Sequence, residues 1–297
     1  MTTSNLKKTY LKFLKKQEIS GERFHNKSIQ LDKFFLPFCD KLFKLYKLKK
    51  RPLLLGLSGG QGSGKSTISQ ILKIIFHLKY NLNVVCFSID DFYKTASERK
   101  KMAKSIHPLF MTRGVPGTHD CKLLYKIIKI LLNKKFGTIK IPKFDKSIDD
   151  RSLTKNWQKI TKKPDIIIFE GWCVGAKPLQ SKELKKPINM LEKFEDTKLT
   201  WRKKVNNEMK TDYKKIYKLL DKKIYLKVPN FKYVLKWRLL QEKKLRLKSK
   251  KKAMNNKQIR RFIMFYERTT KNMAKDYKNN DAIVFIDKLH KIKSIKF

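Results

Sequence analysis

The sequence predicts an α/β fold: a mainly parallel five-stranded sheet with helices on both faces and a helical N-terminal extension. Three observations predict it. Short, continuously apolar runs alternate with amphipathic helical segments, the pattern of strands buried on both faces by crossover helices. The first of these runs ends in a Gly-rich turn that opens a helix. Two of the others end in carboxylates, Asp90 and Glu170, where open parallel sheets bind their ligands.

The elements follow in order. Residues 1–50 read as helical, with Leu31, Phe34, Phe35, Phe38, Leu42 and Leu45 at helical spacing. This extension is expected to pack on the main domain, residues 51–297, and to carry no chemistry. A buried strand is predicted at Leu53–Leu57, then the turn, then a helix with Ile68, Ile71, Leu72, Ile75 and Phe76 on one face. A second strand covers Asn83–Ile89, and a helix near 121–134 leads to a short strand at Thr138–Pro142. Asp165–Glu170 is a strand, Trp201–Lys222 one long helix and Ile224–Val228 another strand. Two more helices precede a last strand, Ala282–Ile286.

Composition narrows the function. The 297 residues carry 73 basic and 25 acidic side chains, a net charge of +48, yet 41% are hydrophobic, too many for a disordered polycation. No apolar run approaches the roughly 20 residues of a membrane span, and the first residues lack a secretory core. A cytoplasmic protein without membrane contact is expected. Cys39, Cys86, Cys121 and Cys173 show neither metal spacing nor a disulfide framework. Only 11 of the basic residues are arginine, and the lysines run through nearly every segment. Nucleic-acid surfaces concentrate charge and favour arginine. The charge is therefore read as solvated faces, with nucleic acid not the expected partner; the run 243–252 is the one local concentration.

The chemistry is concentrated in a few segments. Gly59-Gly60-Gln61-Gly62-Ser63-Gly64-Lys65-Ser66 matches G-x-x-x-x-G-K-[ST] between a strand and a helix, which makes the fold that of a P-loop NTPase. Five of the 11 glycines fall within residues 56–64. Such a loop turns successive N–H groups toward phosphate oxygens, and the helix dipole adds to them. Residues 59–67, Thr67 included, are the expected nucleotide site, with Lys65 reaching the β- and γ-phosphates and the Ser66 hydroxyl on Mg²⁺. ATP and Mg²⁺ are thus the expected cofactors. Transfer to a hydroxyl needs a base and a metal-side carboxylate, and Asp90 and Glu170 supply them, so Lys65, Asp90 and Glu170 form the expected catalytic set. Asp91 either contacts the acceptor or caps the following turn. The turn-forming segments Arg113–Asp120 and Pro142–Lys146, with Arg151, lie between the two acidic strand ends. Arg113, Lys143, Lys146 and Arg151 would suit an anionic acceptor better than a neutral one.

The stretches 56–67, Ser88–Tyr93, Arg113–Asp120, Pro142–Ser147, Glu170–Gly175 and Trp237–Glu242, together and in this order, resemble the D-glycerate 3-kinase family of plants, cyanobacteria and fungi. That family sits in the P-loop group of phosphoribulokinase, uridine kinase and pantothenate kinase. The resemblance runs from about residue 50 to the end, and Arg-Gly-Val-Pro-Gly-Thr-His-Asp with Glu-Gly-Trp-Cys-Val-Gly is its most selective part. It implies transfer of the ATP γ-phosphate to the 3-hydroxyl of D-glycerate, as in photorespiratory salvage. Asp90 falls at the position of the catalytic aspartate, Glu170 at that of the metal-side glutamate, and Arg238 in a mobile lid around 237–252 that binds nucleotide. The expected acceptor set is Asp91, Tyr93, Arg113, His119, Lys143, Asp145 and Arg151. One departure is Asp149-Asp150-Arg151, where Gly-Asp-Arg is expected. Two alternatives stay open: a kinase for another small metabolite such as a nucleoside or pantothenate, and an ATPase that binds nucleic acid through its lysines.

Overall fold

A computed structural model describes residues 3–18, 24–133, 135–248 and 254–297. Its strands are β1 (Leu53–Gly59), β2 (Val84–Ser88), β3 (Ile139–Ile141), β4 (Phe144–Asp145), β5 (Asp150–Arg151), β6 (Gln158–Ile160), β7 (Ile166–Gly171), β8 (Lys222–Lys227), β9 (Ala282–Ile286) and β10 (Ile292–Lys296). Six of them form the central sheet in the order β10-β9-β8-β1-β7-β2. Neighbours pair in parallel except β10, which runs antiparallel to β9. The five expected parallel strands are all present, and the expected count is corrected to six by this edge strand.

Period-two alternation divides the core. Leu53, Leu55 and Leu57 of β1 join Ile166, Ile168, Ile224 and Leu226 on one face. Leu54, Ile167, Phe169 and Tyr225 point to the other. The first face is covered by the helix Lys65–Tyr80 and by the N-terminal helices Thr3–Gln17 and Leu36–Lys47, which bury Leu6, Tyr10, Leu14, Phe38 and Leu42 there. The helix Cys121–Leu132 covers the second face.

Two local expectations change. The strand near 138–142 is β3, paired antiparallel with β6 outside the main sheet. The long helix expected over Trp201–Lys222 is two, Thr200–Lys210 and Asp212–Tyr217, because Thr211 leaves helical geometry at φ −107°, ψ −94°. The break leaves Tyr213 fully buried, with its hydroxyl on the Gly117 N–H.

Asp221, just before β8, ties the P-loop strand to its neighbour. Its carboxylate accepts from the Leu54 N–H (2.9 Å), from both Arg51 Nη atoms (2.9 and 2.7 Å) and from Lys49 Nζ (2.8 Å). Burial raises its pKa, but the Lys49, Leu54 and Arg51 bonds outweigh that and hold it below the ordinary value. A depressed pKa contributes stability above the unfolded value of about 3.9 and loses it as pH falls through the folded one. Asp221→Ala leaves the Leu54 N–H unpartnered and removes the carboxylate shared by Arg51 and Lys49, and is expected to cost about 2 kcal/mol in urea melts at neutral pH. The gap to wild type should close below about pH 4. Coincident melts at neutral pH would contradict this role.

Candidate active site

β1 lies between β7 and β8, and the segments leaving β1, β2 and β7 border one cavity of about 1020 Å³. Ligand sites of open parallel sheets form at such carboxyl ends. The loop after β1 needs glycine for a steric reason. Gly62 has φ +76°, and a Cβ there would stand 2.6 Å from Trp237 Cβ. The helix Lys65–Tyr80 follows directly, with Lys65, Ser66 and Thr67 on the cavity wall.

Lys65 Nζ donates to the carbonyls of Gly59 and Gly60, both at 3.0 Å. Burial lowers its pKa, opposed by the charges of Glu170 and Asp90. Sheet register sets Glu170 level with Leu57 of β1 and Ser88 of β2, so one carboxylate stands between the phosphate loop and the Asp90 turn. Ser66 Oγ donates to Glu170 Oε1 at 2.8 Å. Burial raises the Glu170 pKa; Lys65 opposes the rise and Asp90 adds to it. A hydroxyl and a carboxylate are the hard oxygen donors that Mg²⁺ takes, usually beside phosphates and water. Among the described residues no group of three or more His, Cys, Asp or Glu could hold a metal alone. Ser63 Oγ and both polar atoms of the Gln61 amide are buried without a hydrogen-bond partner, which fits a loop built to cradle phosphates.

The other side of the cavity is built on a short 3₁₀ turn, Ile89–Phe92. Ser88 Oγ accepts from the Asp90 N–H (3.2 Å), and Asp91 Oδ2 accepts from the Ser88 N–H (3.1 Å). Asp91 therefore caps the turn while also bordering the cavity. Burial pushes its pKa up, the Ser88 bond opposes, and the Asp90 charge adds. Asp90 is held by two donors, the Tyr93 hydroxyl and Lys146 Nζ, each at 2.8 Å. Burial would raise the Asp90 pKa, but the Lys146 charge and these bonds carry it well below the carboxylate range. Asp90 raises the pKa of the exposed Lys146 in turn.

Arg113 borders the same cavity. Its backbone is fixed: the Tyr266 hydroxyl donates to its carbonyl at 3.2 Å, and Trp172 Nε1 donates to the Gly114 carbonyl at 3.0 Å. Gly114 has φ +135°, and a Cβ there would collide with the Tyr266 hydroxyl. Arg238 reaches the cavity from the helix Phe231–Lys248, paired with Glu242 at 2.7 Å and stacked over Phe262.

Several expected acceptor contacts lie elsewhere. His119 is 1% exposed behind Tyr93, with the two rings stacked at 4.6 Å. Its Nδ1 meets the Tyr213 hydroxyl, which accepts from Gly117 and so has its proton for the imidazole. Burial holds the His119 pKa down to about 3, so the ring is neutral. Arg151 is turned to the Tyr93 carbonyl (3.0 Å) and Asp120 (3.3 Å), locking two loops together away from the cavity wall. Lys143 is exposed outside the cavity, and Asp145 accepts from the Ser147 N–H at 2.8 Å. The N-terminal extension, expected to carry no chemistry, borders the cavity beyond the phosphate loop through Tyr10, Phe24 and His25. Tyr266 was not foreseen either, since at helical spacing with Phe262 it reads as core. Of the lid expected around 237–252, residues 249–252 lie outside the described residues.

A family model described as phosphoribulokinase / uridine kinase matches residues 54–210, from β1 through the helix Thr200–Lys210. The chain belongs to that family. It is 35% identical over 240 residues to the uncharacterized kinase mug58 of Schizosaccharomyces pombe, which covers 76% of this chain and 84% of that protein. It is 29% identical over 223 residues to the chloroplastic D-glycerate 3-kinase of Arabidopsis thaliana, 72% of this chain but only 46% of that relative's length. The solved D-glycerate 3-kinase of Cryptococcus neoformans var. grubii shares the fold, with a TM-score of 0.72 at 23% identity over 88% of this chain and 96% of that one. The chain is an ATP-dependent P-loop kinase, and no helix among its described residues is long and apolar enough to cross a membrane.

Proposed function

We propose that this kinase transfers the ATP γ-phosphoryl group to the 3-hydroxyl of D-glycerate, giving 3-phospho-D-glycerate and ADP. The observation that carries this reading is the guanidinium of Arg113 on the wall of the cavity that also holds Asp90. A hydroxy acid needs both, a fork for its carboxylate and a base for its hydroxyl. The resemblance to proteins named D-glycerate 3-kinase supports it.

The phosphate loop and Lys65 hold the β- and γ-phosphates, and the Lys65 ammonium stabilises charge on the phosphoryl group in flight. Ser66 and Glu170 would hold Mg²⁺, which when bound neutralises charge on the phosphate oxygens. Asp90 accepts a hydrogen bond from the 3-hydroxyl, orients it and takes its proton. Its depressed pKa keeps it ionised, which suits a loose transition state in which orientation matters more than early proton removal. Arg238 approaches the phosphates as the Phe231–Lys248 helix closes over them and limits hydrolysis.

Coupled ADP release over a panel of hydroxy acids, nucleosides and pantothenate tests the reading. D-glycerate should be the fastest acceptor. Turnover of a neutral nucleoside with D-glycerate inert would remove the substrate and leave the kinase.

A further inference from the structure

We infer that Asp149 is a charge filter for the acceptor: its carboxylate holds Arg113 and takes up part of its charge, so the site favours a monoanionic acceptor over a dianion. The inference rests on the hydroxy-acid reading above and deepens it.

Asp149 has φ +55°, the left-handed region that aspartate tolerates but most residues avoid. It meets two arginines of different kinds. Oδ2 pairs with Arg99 Nη1 at 3.0 Å, and the Asp149 carbonyl accepts from Arg99 Nη2. Arg99 is fully buried and also donates to the carbonyls of Lys94 (3.2 Å) and Met111 (2.8 Å), so its work is structural. Oδ1 contacts Nη1 of Arg113, the arginine that borders the cavity. Both guanidinium groups stand over the Phe144 ring, at 5.9 Å and 5.3 Å. Ring and carboxylate together flank the Arg113 guanidinium. The two acceptor-side cations of the cavity are thereby each matched by one carboxylate, Lys146 by Asp90 and Arg113 by Asp149. Asp149 thus leaves the two arginines one net positive charge in place of two, and the attraction that this withholds from a ligand grows with the ligand's own charge.

Asp149→Asn separates charge from structure, because asparagine keeps an acceptor oxygen and tolerates the left-handed backbone. The experiment is calorimetric titration of the full chain, with Mg²⁺ and a non-hydrolysable ATP analogue, by D-glycerate and by tartronate, in which a second carboxylate replaces the hydroxymethyl group. Wild type should bind D-glycerate better than tartronate. The variant should tighten D-glycerate about threefold and tartronate about tenfold, since the Coulomb energy scales with the product of charges. Affinity for the ATP analogue should stay within about twofold. A tartronate-to-glycerate ratio unchanged from wild type, or both ligands weakened alike, would overturn the filter and leave Asp149 as a tether. If the asparagine variant misfolds because its NH2 faces one of the two guanidinium groups, Asp149→Gly has no such donor, suits the backbone, keeps the carbonyl for Arg99 and must show the same change in ratio. Should wild type bind neither acid, the glycerate reading falls by itself. New tartronate binding in the variant would still uphold the filter, and its absence would overturn that too.

Discussion

Lys65→Ala is expected to lower kcat by about 10³-fold or more with little change in thermal stability. The ammonium is the charge that stabilises the transferring phosphoryl group, and lost electrostatic contacts of this kind cost about 10²–10³-fold even when neutral. Lys65 Nζ bonds to the loop carbonyls of Gly59 and Gly60, so the apolar core loses nothing. Alanine also suits the first turn of the Lys65–Tyr80 helix. Steady-state turnover beside a thermal melt checks both halves. Activity within a few-fold of wild type would remove Lys65 from the mechanism.

Asp90→Asn should lower kcat by about 10²–10⁴-fold while the ATP Kd changes little, because a base matters chiefly in the transition state. The amide oxygen can accept from only one of Tyr93 and Lys146 and cannot take a proton, but the backbone bond from the Asp90 N–H to Ser88 Oγ is kept, so the turn Ile89–Phe92 should survive. Asp91→Asn is the control: it weakens the cap on the Ser88 N–H and should affect stability more than kcat. A normal Asp90→Asn enzyme beside a dead Asp91→Asn enzyme would exchange the two roles.

The parts of the fold that were legible are those whose physics is local. β1 and β7 are buried on both faces, so Leu53–Leu57 and Ile166–Phe169 read as continuous apolar runs. β10 was missed because Ile-Lys-Ser-Ile-Lys has one buried residue and the charged character of a solvated edge. The phosphate loop was legible because its chemistry needs glycine, lysine and serine at fixed spacing. His119 and Arg151 looked like acceptor contacts from their place in polar loops, but the Tyr93–His119 bridge and the Asp120 pair turn both away from the cavity. The Arg99–Asp149–Arg113 cluster joins residues 36 and 50 positions apart across three segments, and no local pattern encodes it. The same limit hid Tyr10 and Phe24 at the cavity wall, since helical spacing reports that a face is buried and not what it faces.

Product identity tests the substrate most directly. D-glycerate labelled with ¹³C at C3 is incubated with the full chain, Mg²⁺ and ATP, and followed by ³¹P and ¹³C NMR. A new phosphate ester coupled to the labelled carbon is the expected result. Unchanged glycerate, with ADP released and a phosphate ester formed only when a neutral nucleoside is supplied, would contradict it.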